Sequence, residues 1–168
     1  MKIRKLKLLP LLVCLVLLSA CGYELIKEKG IYGGAITSLS IPVFKNRSFE
    51  PQAPGFFTEA FSLELAASGL FEINKAGSDA SLQGTITSIT ATPASLGSSG
   101  LAVQKIVTAM VNLTLTKQGN VVKTWTFSDA EVYDVPDVNL EDFNKRAALQ
   151  RIAARIARRF RSQLVAIY

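Results

Sequence analysis

The chain has 168 residues, 19 Lys+Arg against 13 Asp+Glu, no histidine and two cysteines, for a formal net charge of +6. The missing histidine removes the usual general base, the Ser-His-Asp arrangement and the ordinary zinc sites together. Four of the 19 basic residues (Lys2, Arg4, Lys5, Lys7) precede every acid, so the remainder is near +2, fifteen basic against thirteen acidic. A polyanion binder is expected to keep its excess charge in its folded part, and this chain does not, which argues against nucleic acid as a partner.

Lys2 to Lys7 form a positive segment, and Leu8 to Leu18 an apolar run interrupted by Pro10 and Cys14, the layout of a secretory signal. As a helix that run reaches about 16 Å, against a bilayer core of about 30 Å, so it reads as a signal core and not a membrane anchor. Leu18-Ser19-Ala20-Cys21 then matches the lipobox of bacterial lipoproteins, in which the cysteine thiol receives diacylglycerol before cleavage. The expected modification is S-diacylglycerol plus N-acyl lipid on Cys21, and no other cofactor. Each buried CH₂ adds about 0.8 kcal/mol, so two or three chains hold the protein to a membrane permanently. Gly22, not Asp, follows the cysteine, which resembles the sorting rule for the outer membrane and predicts a periplasm-facing, lipid-anchored protein. Residues 1–20 are thus expected to be removed, 21–34 to form a lipidated tether, and 35–168 one periplasmic domain large enough for a sizeable core. With Cys14 lost and Cys21 acylated, no thiol remains for a disulfide, a nucleophile or a metal.

Leu39, Ile41 and Val43 alternate with Ser40 and Pro42, predicting a first strand at an edge or strand end. Lys45 to Ser48 reads as a polar loop, and Pro51 with Pro54-Gly55 brackets a helix start. The following helix, Phe56 to Ser68, has a wide apolar arc predicting burial on more than one side, and Gly69 stops it. Leu70 to Ile73 predicts a short strand. Ser81 to Thr92 predicts a threonine-rich strand in which Ile89 breaks the alternation and marks a bulge. Pro93 to Gly100 reads as a loop. Val107, Ala109, Val111, Leu113 and Leu115 alternate cleanly, Gln118-Gly119-Asn120 turns the chain, and Val121, Trp125 and Phe127 return it. Glu131 to Asn139 reads as an acidic connector, with Asn139 or Asp142 capping the last helix. There Leu149, Ile152, Ala153, Ile156, Phe160, Leu164 and Ile167 make one apolar stripe, with Arg151, Arg155 and Arg158 opposite. The predicted fold is α+β, order β-α-β-β-β-β-α, with two helices packed on one face of a mixed four- to five-stranded sheet.

Candidate contacts are cationic. Arg151, Arg155, Arg158, Arg159 and Arg161 present forks suited to phosphate or carboxylate, or else a solvated face balanced by the helix dipole. Lys45 and Arg47 carry the same two readings. Asp129, Glu131, Asp134 and Asp137 offer oxygen ligands, but in no spacing of a known cation loop, so no metal site and no catalytic residue is assigned. The Ser- and Thr-rich strand from Ser81 to Thr92 offers a half-polar face that a partner is able to cover, which favours a binding module over an enzyme.

Cys21-Gly22-Tyr23 and the segment Ile41 to Pro51, with its Asn46-x-Ser48-x-Glu50-Pro51 pattern before a helix, resemble the lipopolysaccharide-assembly lipoproteins, the LptE family. The resemblance implies a non-enzymatic plug in the lumen of an outer-membrane β-barrel, the LptD-type translocon subunit, which it helps to fold, with lipopolysaccharide as a further contact. Family members carry basic residues near the strand-connecting loops, whereas here Pro93 to Gly100 has none and Glu131 to Asn139 is acidic, so Lys105 is the nearest counterpart; it joins Lys45, Arg47, Arg151, Arg155 and Arg158 as a candidate partner or lipopolysaccharide contact. An accessory lipoprotein of another envelope machine, in lipid transport or as a secretin pilot, is the alternative that the lipobox and fold equally permit.

Overall fold

The structure is a computed structural model and describes residues 30–165. The signal, the Cys21 lipidation site and the tether before Gly30 lie outside the described residues. The elements are β1 (Ser38–Ser40), β2 (Lys45–Asn46), α1 (Ala53–Ala67), β3 (Glu72–Ile73), β4 (Ala80–Leu96), β5 (Ala102–Lys117), β6 (Asn120–Asp134) and α2 (Val138–Val165). They form an α+β fold whose six-stranded sheet has the order β3-β1-β4-β5-β6, with β2 on the same edge of β4 as β1. Contacts to β1, β2 and β3 are parallel, while the long strands β4, β5 and β6 are antiparallel. Among the described residues no helix is long and apolar enough to cross a membrane.

The single first strand expected from Leu39 to Val43 is instead two short pieces. Pro42 cannot donate to a ladder, so pairing stops after Ser40 and resumes at Lys45. Between them Phe44 turns into the core, 3 % exposed, and lies on Gly84 of β4. A Cβ at Gly84 would stand 2.2 Å from that ring, so the strand needs glycine there for close approach. Below this break Asp79 holds β1: its Oδ2 accepts from the Thr37 N–H (3.0 Å), the Thr37 hydroxyl (2.9 Å) and the Ser38 N–H (3.0 Å). Those donors hold the Asp79 carboxyl well below its ordinary value, at about 2.

Helix α1 begins three residues earlier than expected and buries one ridge, Ala53, Phe57, Phe61 and Leu65, four residues apart. Phe56 and Ala60 pack beside this ridge, and the helix lies against both α2 and the sheet, while Leu63 on its far side is 64 % exposed. Gly69, at φ +68°, ends the turn after it. The bulge falls at Thr87, between the pairs Ile86↔Val111 and Ser88↔Met110, and it shifts the alternation so that Ile89 returns to the inner face. Pro93 to Leu96 are strand and not loop, since β5 continues to pair with them. Likewise β6 runs through Asp134, taking in half of the expected connector. Asp137, not Asn139 or Asp142, caps α2, accepting from the N–H groups of Asn139 (2.8 Å) and Leu140 (3.0 Å).

The core lies between the helices and one face of the sheet. Leu82 and Ile86 of β4, Val107 to Leu115 of β5 and Phe127 of β6 meet Phe57, Phe61, Ile152, Ile156 and Phe160. Ile31 and Ile36, bridged to each other, are also buried, so the packed body takes in part of the segment expected to be tether.

Two outcomes test this packing. Gly84→Ala is expected to cost about 1–3 kcal/mol in urea unfolding, from overpacking against Phe44. A Gly84→Ala, Phe44→Leu double variant should lose less than the two single losses combined. The Asp79 carboxylate, depressed in the folded state, contributes stability that is complete above pH 3.8 and is lost as pH falls through about 2. Asp79→Asn, which keeps an acceptor but cannot titrate, should flatten the acid limb of the stability profile over that window, read by circular dichroism.

Candidate interaction surfaces

The motif segment is a loop tied to itself. The Asn46 amide donates to the Glu50 carbonyl (2.8 Å), while its Oδ1 accepts from the Ser48 N–H (2.9 Å) and hydroxyl (2.7 Å). Ser48 Oγ accepts from the Glu50 N–H (3.3 Å), and the Arg47 N–H donates to the Ile86 carbonyl (2.9 Å), fastening the loop to β4. The Glu50 carboxylate meets Lys145 Nζ of α2 at 2.8 Å, tying the loop to the last helix. Burial works to lower the Lys145 ammonium, but the hydrogen bond and charge of Glu50 outweigh it and hold it above its ordinary value. Asn, Ser and Glu are therefore spent on internal bonds. What the loop leaves outside is Val43 (72 % exposed), Lys45, Arg47 and Phe49 (101 % exposed).

Phe127, Asp129, Glu131 and Tyr133 share the inner face of β6 by strand alternation, so the two acids face α2. Arg155 bonds both Asp129 (2.7 Å) and Glu131 (2.6 Å), and Arg151 bonds Glu131 (2.7 Å). Burial alone would raise the Glu131 carboxyl, yet the bonds from Arg155 and Arg151 hold it below its ordinary value. Arg155 and Arg159 also donate to the Ala130 (3.0 Å) and Ser128 (2.9 Å) carbonyls, which saturates part of the free edge of β6. Arg161, on the other flank, meets Glu64 of α1 at 3.0 Å. Among the described residues the Arg158 side chain bonds the Ala154 carbonyl of its own helix alone, and it faces outward. The arginines therefore occupy the helix flanks as well as the side opposite the stripe.

Lys105, on the inner face of β5, pairs with Glu141 at 2.5 Å beside the Tyr133 hydroxyl. Burial, with the Glu141 charge next to it, pushes the Tyr133 phenol up to about 12. Among the six candidate cations, Lys105, Arg151 and Arg155 thus have carboxylate partners within the fold, while Lys45, Arg47 and Arg158 have none among the described residues. Of the acidic set, Asp129 and Glu131 take arginine, Asp134 accepts from Gln104 and Asp137 caps α2; no metal-binding group is found among the described residues.

The other face of the sheet is uncovered among the described residues. Across its middle the outward side chains run from Ser81 to Thr92 on β4, Ile106 to Thr116 on β5 and Thr124 to Val132 on β6, and none of these carries a charge; Asp134, Glu72 and Lys45 lie at the margins of the same face. Threonine dominates, joined by Asn112, Ser128 and Met110. The Thr-rich pattern of β4 pointed to this face. The exposure of Phe49 and the inward facing of Asp129 and Glu131 were not read from the sequence, although the period of two from Phe127 to Tyr133 carries the latter.

Solved structures place this architecture among bacterial lipoproteins. It is similar to lipoprotein B from Nitrosomonas europaea (13 % identity, 87 % of this chain and 94 % of that one, TM-score 0.54) and to a minor lipoprotein from Acinetobacter baumannii (15 %, 78 % and 92 %, 0.53). It is also similar to the rare lipoprotein B from Shewanella oneidensis (12 %, 76 % and 94 %, 0.50). At such identities the likeness establishes the fold. No curated protein matches the chain by sequence. The lipopolysaccharide-assembly family LptE matches residues 36–164, and the chain belongs to that non-enzymatic family.

The pairing of α2 with β6 predicts an asymmetry among the arginines. Arg155→Ala should cost about 1–2 kcal/mol in chemical denaturation, a loss of charged hydrogen bonds reduced by screening. Arg158→Ala should stay within about 0.5 kcal/mol of wild type.

Proposed function

We propose that this protein is an acylated outer-membrane lipoprotein that occupies the lumen of an LptD-type β-barrel, assists its assembly and so supports lipopolysaccharide insertion at the cell surface. The observation that carries the reading is the outer face of the sheet, free of charge across the middle of β4, β5 and β6. A solvated protein surface is ordinarily about a quarter to a third charged residues, whereas interface cores are depleted in Lys, Glu and Asp. A hydroxyl-rich face can bond the polar interior of a large barrel without stripping water from ions, a cost of several kcal/mol per ion. Family membership supplies the lipopolysaccharide-assembly context, and the fold of the lipoprotein relatives agrees with it. Phosphate recognition by Lys105, Arg151 or Arg155 would require displacing carboxylates already bound, so the reading rests on the sheet face and not on those cations.

Thr90→Arg and Thr126→Arg, both at exposed outward positions, test it. Each should leave the thermal midpoint unchanged and abolish co-purification of the barrel after mild detergent extraction. A barrel that assembles normally without this protein, and that never accompanies it, would sink the proposal.

A further inference from the structure

The loop from Asn46 to Glu50 is rigid for a reason that its own stability does not supply. Four side chain to backbone or side chain to side chain bonds link Asn46, Ser48 and Glu50, and Lys145 clamps the far end. Yet the residue this framework displays, Phe49, touches so little of the protein that its ring is fully exposed. A phenylalanine left in water forgoes the stabilisation that burial of its ring brings. Arg47 beside it and Lys45 two residues earlier have no carboxylate partner among the described residues, and Val43 continues the exposed apolar series.

We propose that this loop is a preorganised docking anchor, with Phe49 as the residue inserted into an apolar pocket of a protein partner whose rim carries carboxylates for Arg47 and Lys45. An aromatic side chain next to arginine is the chemistry of an interface hot spot, and a loop already fixed in place loses little further entropy on binding. Lys45 pairs with Thr85, an outward position of β4, so the loop borders the hydroxyl-rich sheet face and sets a cation at its edge. This continuity favours protein over lipid: one ring beside a broad hydroxyl surface is a poor membrane insert. The partner is the barrel of the preceding section, and in naming it the inference rests on that reading.

Photo-crosslinking with p-benzoylphenylalanine at position 49, and separately at position 126 on the sheet face, in the full-length acylated protein in its native envelope, tests both. Adducts to the barrel from both positions are the expected result. An adduct from 126 with none from 49, or a phospholipid adduct at 49, overturns the anchor and leaves the lumen reading standing. No barrel adduct from either position overturns both. In parallel, Phe49→Ala should reduce barrel recovery at least tenfold while the thermal midpoint stays unchanged; undiminished recovery overturns the anchor.

Discussion

Phe160 stands at the junction of every layer, its ring 5.5 Å from Phe61 of α1, 5.0 Å from Trp125 and 6.2 Å from Phe127 of β6. The chain of rings continues from Phe61 to Phe44 at 5.2 Å, and Phe44 lies on Gly84. This aromatic line joins both helices to the central and outer strands through one contiguous core. Edge-to-face and tilted contacts of this kind add about 0.5–1.5 kcal/mol each beyond burial. With α1 and α2 drawn to one side by the same ring, neither covers the other side. The open sheet face is therefore a consequence of how the core closes.

That closure also divides the charges. The inner rim, where α2 crosses β5 and β6, holds the ion pairs: Lys105 with Glu141, Lys145 with Glu50, and Arg151 and Arg155 with Asp129 and Glu131. Each is partly shielded, so its attraction is less screened than that of an exposed pair. The outer face holds no charge across the middle of β4, β5 and β6, and its charges, Lys45, Glu72 and Asp134, stand at its margins. Segregation of this kind leaves one surface already spent on internal partners and another whose hydrogen-bonding groups remain available.

Much of the fold was legible because its periods are unambiguous. The alternation from Val107 to Leu115 and the stripe from Leu149 to Leu164 give β5 and α2, and the count of helices and their shared side follow from them. What the pattern could not carry was long-range. Pro42 was visible, but that Phe44 would cross onto Gly84 depends on two segments forty residues apart, each unremarkable alone. Asp129 and Glu131 sit in a run of acids that looks like a connector until Tyr133, two positions on, is seen to be buried. The arginine row was found, and its use was not, because a helix wheel shows which residues share a side and not which strand lies against the flank. The Asn46 to Pro51 segment was recognised by its resemblance, and the hydrogen bonds give its polar residues a physical role.

The described chain enters the fold beside the turn between β5 and β6, where Lys117 donates to the Ala35 carbonyl at 2.8 Å. The turn from Gly97 to Leu101 lies at the opposite end of the sheet. Strand β4 has 17 residues, which at about 3.3 Å each spans about 55 Å. An anchor at the entry end would leave the free hairpin longer than the bilayer core of about 30 Å. The same element that presents the hydroxyl-rich face thus runs the full length of the sheet. The two edges of the sheet differ. Arginines occupy carbonyls of β6, while the outer edge of β4 beyond Ile86 has no strand partner among the described residues and carries Pro93, a residue tolerated only at such an edge. Both devices discourage strand addition, so the surface left for specific contact is the face and its bordering loop.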